Sequence, residues 1–288
     1  MNTSRSEFHL INGLRYHVRL WGDENQPTLF LLHGWMDVSA SFQFLVDALG
    51  QNWRVIAPDW RGFGLSQWSK NPYYFPDYFA DLDRLIDHYQ SDSPINLAGH
   101  SMGGNVAGIF AGVRPERVAK LVLLEGFGLK PTAPSQAPGR LSKWLDLLKQ
   151  PPSFKTYGSV EEFAQRLQQN NRRLTSERAL FIAAHSCAET TPGKIELLSD
   201  PSHKLTNPVL YRLEEAQAAW QQITAPSLWI TGADSDFMRM QVASPEDYAS
   251  RKACFNDLRE EIIPDCGHMM HHDQPQALAT LLETFFEK

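Results

Sequence analysis

The amino-acid sequence predicts an α/β protein whose mostly parallel sheet is interrupted by a helical insertion. Three observations favour this fold class. Short apolar runs of strand length alternate with segments of helical spacing between residues 28 and 124. Helical periodicity without a convincing strand then extends over residues 130–225. Strand-like runs resume at Ser227 and again near Leu258.

The predicted strands are apolar runs bounded by Gly, Pro and polar residues. The Asn12-Gly13 pair is typical of a tight turn, so the first two strands form a hairpin. The fully apolar third run is typical of a strand buried on both faces of a parallel sheet. The predicted strands are 8–11, 14–21, 28–32, 53–57, 95–98, 118–124, 227–231 and 258–263.

The predicted helices have apolar residues at intervals of three and four. Those of the α/β part are 42–49, 78–89, 102–110 and 275–286, and those of the insertion are 141–149, 160–169, 176–188 and 214–221. We expect residues 1–129 and 226–288 to form one core. Residues 130–225 would then form a cap over the carboxyl edge of the sheet, where such sheets bind ligands.

The composition is that of an ordinary globular protein, with 42% hydrophobic residues and a net charge of −6. A net negative charge does not favour binding to nucleic acid or to an anionic membrane. The N-terminus lacks the apolar centre of a signal peptide, and no run is long enough to span a bilayer. We therefore expect a cytoplasmic protein without nucleic-acid or membrane partners; the oligomeric state is left open.

The sequence Gly99-His100-Ser101-Met102-Gly103 follows an apolar run and precedes a helical segment. A turn this tight forces the serine into strained backbone angles and leaves no room for side chains at 99 and 103. The serine hydroxyl would lie at the positive end of a helix, where developing negative charge is stabilised. Ser101 is therefore the candidate nucleophile.

A serine hydroxyl needs a general base, and the base needs an acid to orient it. His268 follows the last predicted strand, and acidic residues follow the strand before it. Together with His33-Gly34 and the Asp59-to-Ser66 stretch, these motifs resemble the alpha/beta-hydrolase superfamily, and among its members the serine hydrolase-like proteins. The resemblance covers nearly the whole chain outside the insertion. It implies an eight-stranded, mostly parallel sheet with helices on both faces.

The resemblance also implies roles for single residues. Ser101 would be the nucleophile, His268 the base, and the backbone amides of Trp35 and Met102 the oxyanion hole. The usual glycine-x-x-acid pattern would need an acid at 235, where this chain has serine. A loop that is one residue longer favours Asp236 as the acid. Asp234 is the alternative, and Glu125, at the end of the strand before the insertion, is a third possibility.

The substrate is harder to predict than the chemistry. Met36, Phe127 and Met238 are candidates for an apolar substrate pocket, which favours a small-molecule apolar ester. The alternatives are a carbon–carbon bond hydrolase of the same fold and a ligand-binding protein without catalysis. The reaction needs no cofactor, so none is expected. His271 and His272 have no matching carboxylate or cysteine spacing, so no metal is expected either.

Overall fold

A computed structural model describes residues 1–287; residue 288, the last position of the second predicted core segment, lies outside the described residues. Ten strands lie in this part of the chain. They are β1 (Ser4–Ile11), β2 (Leu14–Trp21), β3 (Thr28–Leu32), β4 (Arg54–Pro58), β5 (Ile95–His100), β6 (Val118–Leu124), β7 (Cys187–Thr191), β8 (Lys194–Leu197), β9 (Ser227–Gly232) and β10 (Leu258–Ile263).

Eight of these strands form one sheet in the order β1-β2-β4-β3-β5-β6-β9-β10. The hairpin strand β2 pairs antiparallel with β1 and β4, and the other neighbours pair in parallel. At the hairpin turn, Asn12 and Gly13 both have positive φ, as a two-residue turn requires. The predicted fold class is confirmed.

Residues 1–287 also contain eleven α-helices. They are α1 (Gln43–Ala48), α2 (Phe75–Tyr89), α3 (Met102–Val113), α4 (Ala137–Lys149), α5 (Val160–Asn170), α6 (Ser176–Ser186), α7 (Leu213–Trp220), α8 (Phe237–Gln241), α9 (Pro245–Lys252), α10 (Met270–Asp273) and α11 (Pro275–Glu287). One apolar cluster joins the sheet to α2, α3 and α7, and a second joins its other face to α1, α10 and α11. Both faces of the sheet are thus covered, as a mostly parallel sheet requires.

The insertion has an apolar core of its own, built from α5, α6 and the hairpin β7–β8, with Phe163, Ile182 and Ile195 among its buried residues. Phe44 of α1 belongs to the same cluster, and its ring lies 5.3 Å from that of Phe181. The insertion therefore rests on the core through α1. The hairpin differs from the prediction of an insertion without strands.

Helix α7 lies within the predicted cap but packs on the core. Trp220 is buried in the same apolar cluster as α3. A Cβ atom added to Gly112 of α3 would overlap the carbonyl group of Ala219, so the two helices are in backbone contact. We therefore propose that the cap ends before Leu213 rather than at residue 225.

The helices of residues 1–287 include none with the length and hydropathy needed to cross a membrane.

Candidate active site

Ser101 lies between the last residue of β5 and the first residue of α3. Its backbone angles, φ 52° and ψ −112°, lie in a region that non-glycine residues rarely occupy. Two backbone hydrogen bonds hold this conformation: the Ser101 N–H donates to Leu124 O at 2.8 Å, and Ser101 O accepts from the Asn105 N–H at 2.9 Å. The predicted strand, turn and helix are present.

Glycines surround this turn because the backbone leaves no room for side chains. A Cβ atom on Gly99 would overlap the carbonyl group of Gly103, and one on Gly103 would overlap the carbonyl of Leu32. The backbone of Gly104 in α3 also contacts that of Gly126, which lies just after β6. The turn is therefore fixed against both neighbouring strand ends, and a fixed position reduces the cost of orienting a nucleophile.

His268 lies in the loop between β10 and α10, with its side chain 29% exposed. Its ring stacks on Phe237 at 4.1 Å between centroids, and its carbonyl oxygen lies 2.9 Å from His100 Nε2. Its Nδ1 lies 2.5 Å from Glu125 Oε2. A carboxylate only accepts hydrogen bonds, so Nδ1 carries the hydrogen when Nε2 is the basic nitrogen.

Glu125 follows β6 directly and is fully buried. Its Oε1 accepts a hydrogen bond from the Gly232 N–H at 3.0 Å, and its Oε2 also accepts one from the Ser235 hydroxyl at 2.7 Å. A buried carboxylate is costly unless it is hydrogen-bonded, and here three donors satisfy it. The backbone of Glu125 has a positive φ of 49°, which departs from the strand direction as the chain leaves β6.

The preference for Asp236 as the acid is corrected by this geometry. The Asp236 side chain is 76% exposed and pairs with Arg239 at 3.4 Å. The alternative, Asp234, is 48% exposed and pairs with Arg173 at 2.6 Å. In residues 1–287, neither aspartate forms a hydrogen bond with His268.

The physical reason is the direction of the side chains in the loop after β9. Ser235 N–H bonds to Gly232 O, and this turn directs the Ser235 side chain inward, where it is buried against Glu125. The residues on either side then face outward. The sequence carried a signal for this arrangement, because serine occupies the position where the family pattern has an acid while a glutamate directly follows β6.

His100 lies next to both Ser101 and His268. The ring of His100 lies 4.6 Å from that of His268, and His100 adjoins Ser101 in the chain. No hydrogen bond joins the Ser101 hydroxyl to His268 within the described chain. Catalytic hydrogen bonds are often long until substrate binds, so this geometry is compatible with a nucleophile and its base.

The two candidate oxyanion donors belong to segments next to Ser101. A Cβ atom added to Gly34 would lie 3.2 Å from Ser101 Cβ, so the loop that carries Trp35 is in contact with the serine. Met102 is the first residue of α3, whose first N–H groups have no partner within the helix. Neither amide donates to an acceptor in residues 1–287.

His33 fixes the loop of Trp35. Its Nδ1 hydrogen-bonds Gly34 O at 2.8 Å, and its Nε2 accepts from the Trp60 N–H at 2.9 Å. Burial lowers the pKa of His33, so the ring stays neutral and can accept at Nε2. The dipeptide His33-Gly34 is therefore a structural element that positions the following amide.

A cleft of about 210 Å³ opens beside Trp35, between the core and the insertion. Trp35 is 53% exposed there, and half of the other residues that line the cleft have aromatic rings. These aromatic side chains are those of Tyr73, Tyr74, Phe75, Tyr78, Trp144 and His203. The cleft thus begins one residue from Gly34, which contacts the serine.

The predicted pocket residues do not line this cleft. Phe127 is fully buried, and its ring stacks between Trp229 and Trp220 in the core, so its assignment to the pocket was wrong. Met36 and Met238 are partly buried and pack against the same core cluster. Sequence hydrophobicity alone did not separate core residues from cleft residues.

This arrangement defines a class of protein: α/β proteins with a serine on the turn between a sheet strand and a helix. The family model described as alpha/beta hydrolase fold matches residues 27–275, and the chain belongs to that family. The family and the likeness to serine hydrolase-like proteins were both predicted from the motifs, and both are confirmed.

Relatives of known name match almost the full chain. A serine hydrolase-like protein of Danio rerio is 27% identical over 300 residues, which cover 100% of this chain and 90% of the relative. A 3-hydroxybutyrate-oligomer hydrolase of Cupriavidus necator is 28% identical and covers 96% of this chain and 93% of its own. Among solved structures, the thioesterase domain from the curacin biosynthetic pathway superposes with a TM-score of 0.87 at 26% identity, covering 98% and 100% of the two chains.

Proposed function

We propose that this protein is a serine hydrolase of carboxylic esters or related acyl compounds, with Ser101, His268 and Glu125 as its triad. The observation that carries the proposal is the 2.5 Å contact between Glu125 Oε2 and His268 Nδ1, beside the strained Ser101 turn. When Nδ1 of a histidine is held by a carboxylate in this way, Nε2 is free to act as the base. A ligand-binding protein would have no need of a buried carboxylate that orients a partly exposed histidine.

In the first half of the reaction, the Ser101 Oγ attacks the ester carbonyl carbon and His268 Nε2 accepts the hydroxyl proton. The carbonyl oxygen becomes negatively charged and accepts hydrogen bonds from the amides of Trp35 and Met102. Glu125 stabilises the imidazolium that forms. His268 then gives the proton to the leaving alcohol, and an acyl-serine remains.

In the second half, a water molecule takes the place of the alcohol. His268 accepts one of its protons while the oxygen attacks the acyl-serine, and the same two amides stabilise the second oxyanion. Collapse of this intermediate returns the proton to Ser101 Oγ and releases the carboxylic acid. No step requires a metal or an organic cofactor.

The aromatic cleft supports an apolar substrate. Sites that hold a whole drug-sized ligand have volumes of about 300 Å³ or more. This cleft is smaller, so it suits one substituent of the substrate. Indole and phenol rings provide large apolar contact with a few polar edges. The relatives named as a thioesterase domain and an oligomer hydrolase support acyl chemistry in general, and we extend the proposal to thioesters as alternative substrates.

A panel of p-nitrophenyl esters from acetate to laurate tests the proposal, with acyl thioesters and a 3-hydroxybutyrate dimer alongside. We expect turnover that Ser101→Ala lowers by about a thousandfold or more. Ser199→Ala is the matched control, because Ser199 is also buried but lies outside the site. A fluorophosphonate probe should label Ser101 itself, as read by peptide mass spectrometry. Undiminished turnover in the Ser101→Ala variant would disprove the mechanism.

A further inference from the structure

A second group of chemically active side chains lies next to the candidate active site. Asp37, His100 and His271 are each at least nine-tenths buried. One potential ligand atom from each of them lies within 4.8 Å of the other two. The proposed ester hydrolysis uses none of these three side chains, although His100 adjoins the nucleophile. A buried group of this kind needs an explanation of its own.

His100 has the hydrogen bonding of a metal ligand. Its Nε2 lies 2.9 Å from the carbonyl oxygen of His268. A carbonyl only accepts, so Nε2 carries the hydrogen and Nδ1 presents a lone pair. This Nδ1 is buried and has no hydrogen-bond partner in residues 1–287. Histidines that bind metals commonly donate their other N–H to a backbone carbonyl, which fixes the tautomer and the ring.

The spacing of Asp37 and His271 agrees with this interpretation. Asp37 Oδ2 lies 3.3 Å from His271 Nε2, and the Ser41 hydroxyl lies 3.3 Å from the same nitrogen. A direct ionic hydrogen bond is shorter, at about 2.7–2.9 Å. Two ligand atoms about 2.0–2.1 Å from a tetrahedral zinc ion are about 3.3 Å apart. The nitrogen of His271 that faces Asp37 is Nε2, and Nδ1 is the ring nitrogen that is buried without a hydrogen-bond partner in the described chain.

We propose that Asp37, His100 and His271 bind a divalent transition-metal ion such as Zn²⁺. Two imidazoles and one carboxylate are a ligand set suited to zinc, cobalt or nickel and poorly suited to calcium or magnesium. The site brings together β3–α1, β5 and α10, which are distant in sequence. An ion there crosslinks three segments that also position Trp35, Ser101 and His268.

The proposal also links the ion to the candidate active site. His100 adjoins Ser101 and hydrogen-bonds the backbone of His268. An ion on its Nδ1 fixes the ring and strengthens Nε2–H as a donor to that carbonyl. We expect metal binding to raise thermal stability and to change hydrolytic turnover at the same time. Binding itself requires no catalysis, so the test below is independent of the proposed function.

The experiment uses the full chain, freed of metal with a chelator and titrated with Zn²⁺ in a calorimeter. We expect one ion per chain, and an affinity at least about a hundredfold weaker in Asp37→Asn and His271→Gln. His272→Gln is the matched control, because His272 is adjacent and buried and its Nε2 has no partner, yet it lies outside the group of three. Ser101→Ala should bind as tightly as the unmodified chain.

Substitution in the buried site could unfold the protein, so a second measurement uses the unmodified chain. Zinc X-ray absorption should show nitrogen and oxygen ligands with two imidazoles and no sulfur. Absence of a stoichiometric site, or a thiolate in the ligand shell, would overturn the proposal; so would loss of binding in His272→Gln with full binding in Asp37→Asn.

Discussion

Glu125 and His268 are joined by a 2.5 Å contact across 143 residues of sequence. The carboxylate comes from the end of β6 and the imidazole from the loop after β10, so the pair spans β9, which lies between those strands in the sheet. The Gly232 amide at the end of β9 donates to the same carboxylate. The candidate triad is therefore bound into the carboxyl edge of the sheet itself.

Replacement of the proposed acid is the most direct test of this contact. Glu125→Gln removes the charge that stabilises the imidazolium, and we expect kcat to fall by about a thousandfold to ten-thousandfold. Asp236→Asn and Asp234→Asn serve as controls and should change kcat by less than about twofold, since exposed ion pairs contribute little. Initial rates on p-nitrophenyl butyrate give the comparison. A large loss in Asp236→Asn alone would restore that residue as the acid.

Ser235 provides a second position from which a carboxylate can reach His268. Its hydroxyl lies 2.7 Å from Glu125 Oε2, the atom that contacts the imidazole. Ser235→Asp alone places two carboxylates side by side and should lower activity. Combined with Glu125→Gln it should be about tenfold more active than Glu125→Gln by itself. Steady-state kinetics of the three variants decide this, and no gain in the double variant would count against it.

The backbone contact at Gly103 should make this position intolerant of any side chain. We expect Gly103→Ala to lower the free energy of unfolding by more than about 2 kcal/mol, because a Cβ atom would overlap the Leu32 carbonyl group. Gly139 is a matched control in helix α4, where nothing lies within 4 Å of an added Cβ. Gly139→Ala should be stabilising by up to about 1 kcal/mol. Urea titrations measure both free energies of unfolding. Equal changes in the two variants would show that the contact at Gly103 does not exclude a side chain.

Trp35 should influence which esters are accepted, separately from its backbone amide. Its side chain lines the aromatic cleft, so Trp35→Ala should lower kcat/KM for long-chain esters by about tenfold and leave acetate esters nearly unchanged. Trp68→Ala is the control, since Trp68 is similarly exposed and lies outside the cleft. The ratio of laurate to acetate turnover is the measured quantity. An unchanged ratio would place the acyl chain elsewhere.

His203 should make the protein less stable in acid. It stacks between Phe63 and Tyr73, and burial lowers its pKa to about 4. The unfolded chain gains a proton on this histidine near its ordinary pKa of about 6.5, whereas the folded chain stays neutral until about pH 4. Stability is therefore complete above about pH 6.5 and falls as the pH is lowered towards 4.

His203→Gln isolates this contribution, because glutamine does not titrate. The free energy of unfolding should fall by about 2 kcal/mol more in the unmodified protein than in the variant between pH 7 and pH 4.5, after a discount for partial exposure. Chemical denaturation at the two pH values gives the four free energies. Parallel losses in both proteins would assign the acid sensitivity to other groups.

Much of the sheet could be predicted because apolar runs and turn residues mark it clearly. The bounds of Leu14–Trp21, Thr28–Leu32, Val118–Leu124 and Leu258–Ile263 agree with the structure. The hairpin β7–β8 could not be predicted, since much of it is exposed and it lacks regular apolar alternation. The predicted helix 176–188 runs into its first strand, which begins at Cys187.

The candidate site shows the limit of sequence spacing. Ser101 and His268 could be predicted because each belongs to a local motif. Ser101 lies on a strained turn, and His268 follows the end of a strand. The acid depends on which side chain of a loop points inward, and that is decided by the turn between Gly232 and Ser235. Asp37, His100 and His271 come from three separate segments, so no local spacing connects them.

The proposed acid is also the first residue of the chain segment that leaves the sheet for the insertion. Engineers who exchange this cap for that of another hydrolase would therefore have to join the new segment beyond Gly128, where Asn105 anchors the backbone amide at 2.6 Å. A junction placed at the end of β6 would discard the carboxylate with the old cap. In this chain, only a few residues separate the proposed catalytic carboxylate from the point at which a new cap can be joined.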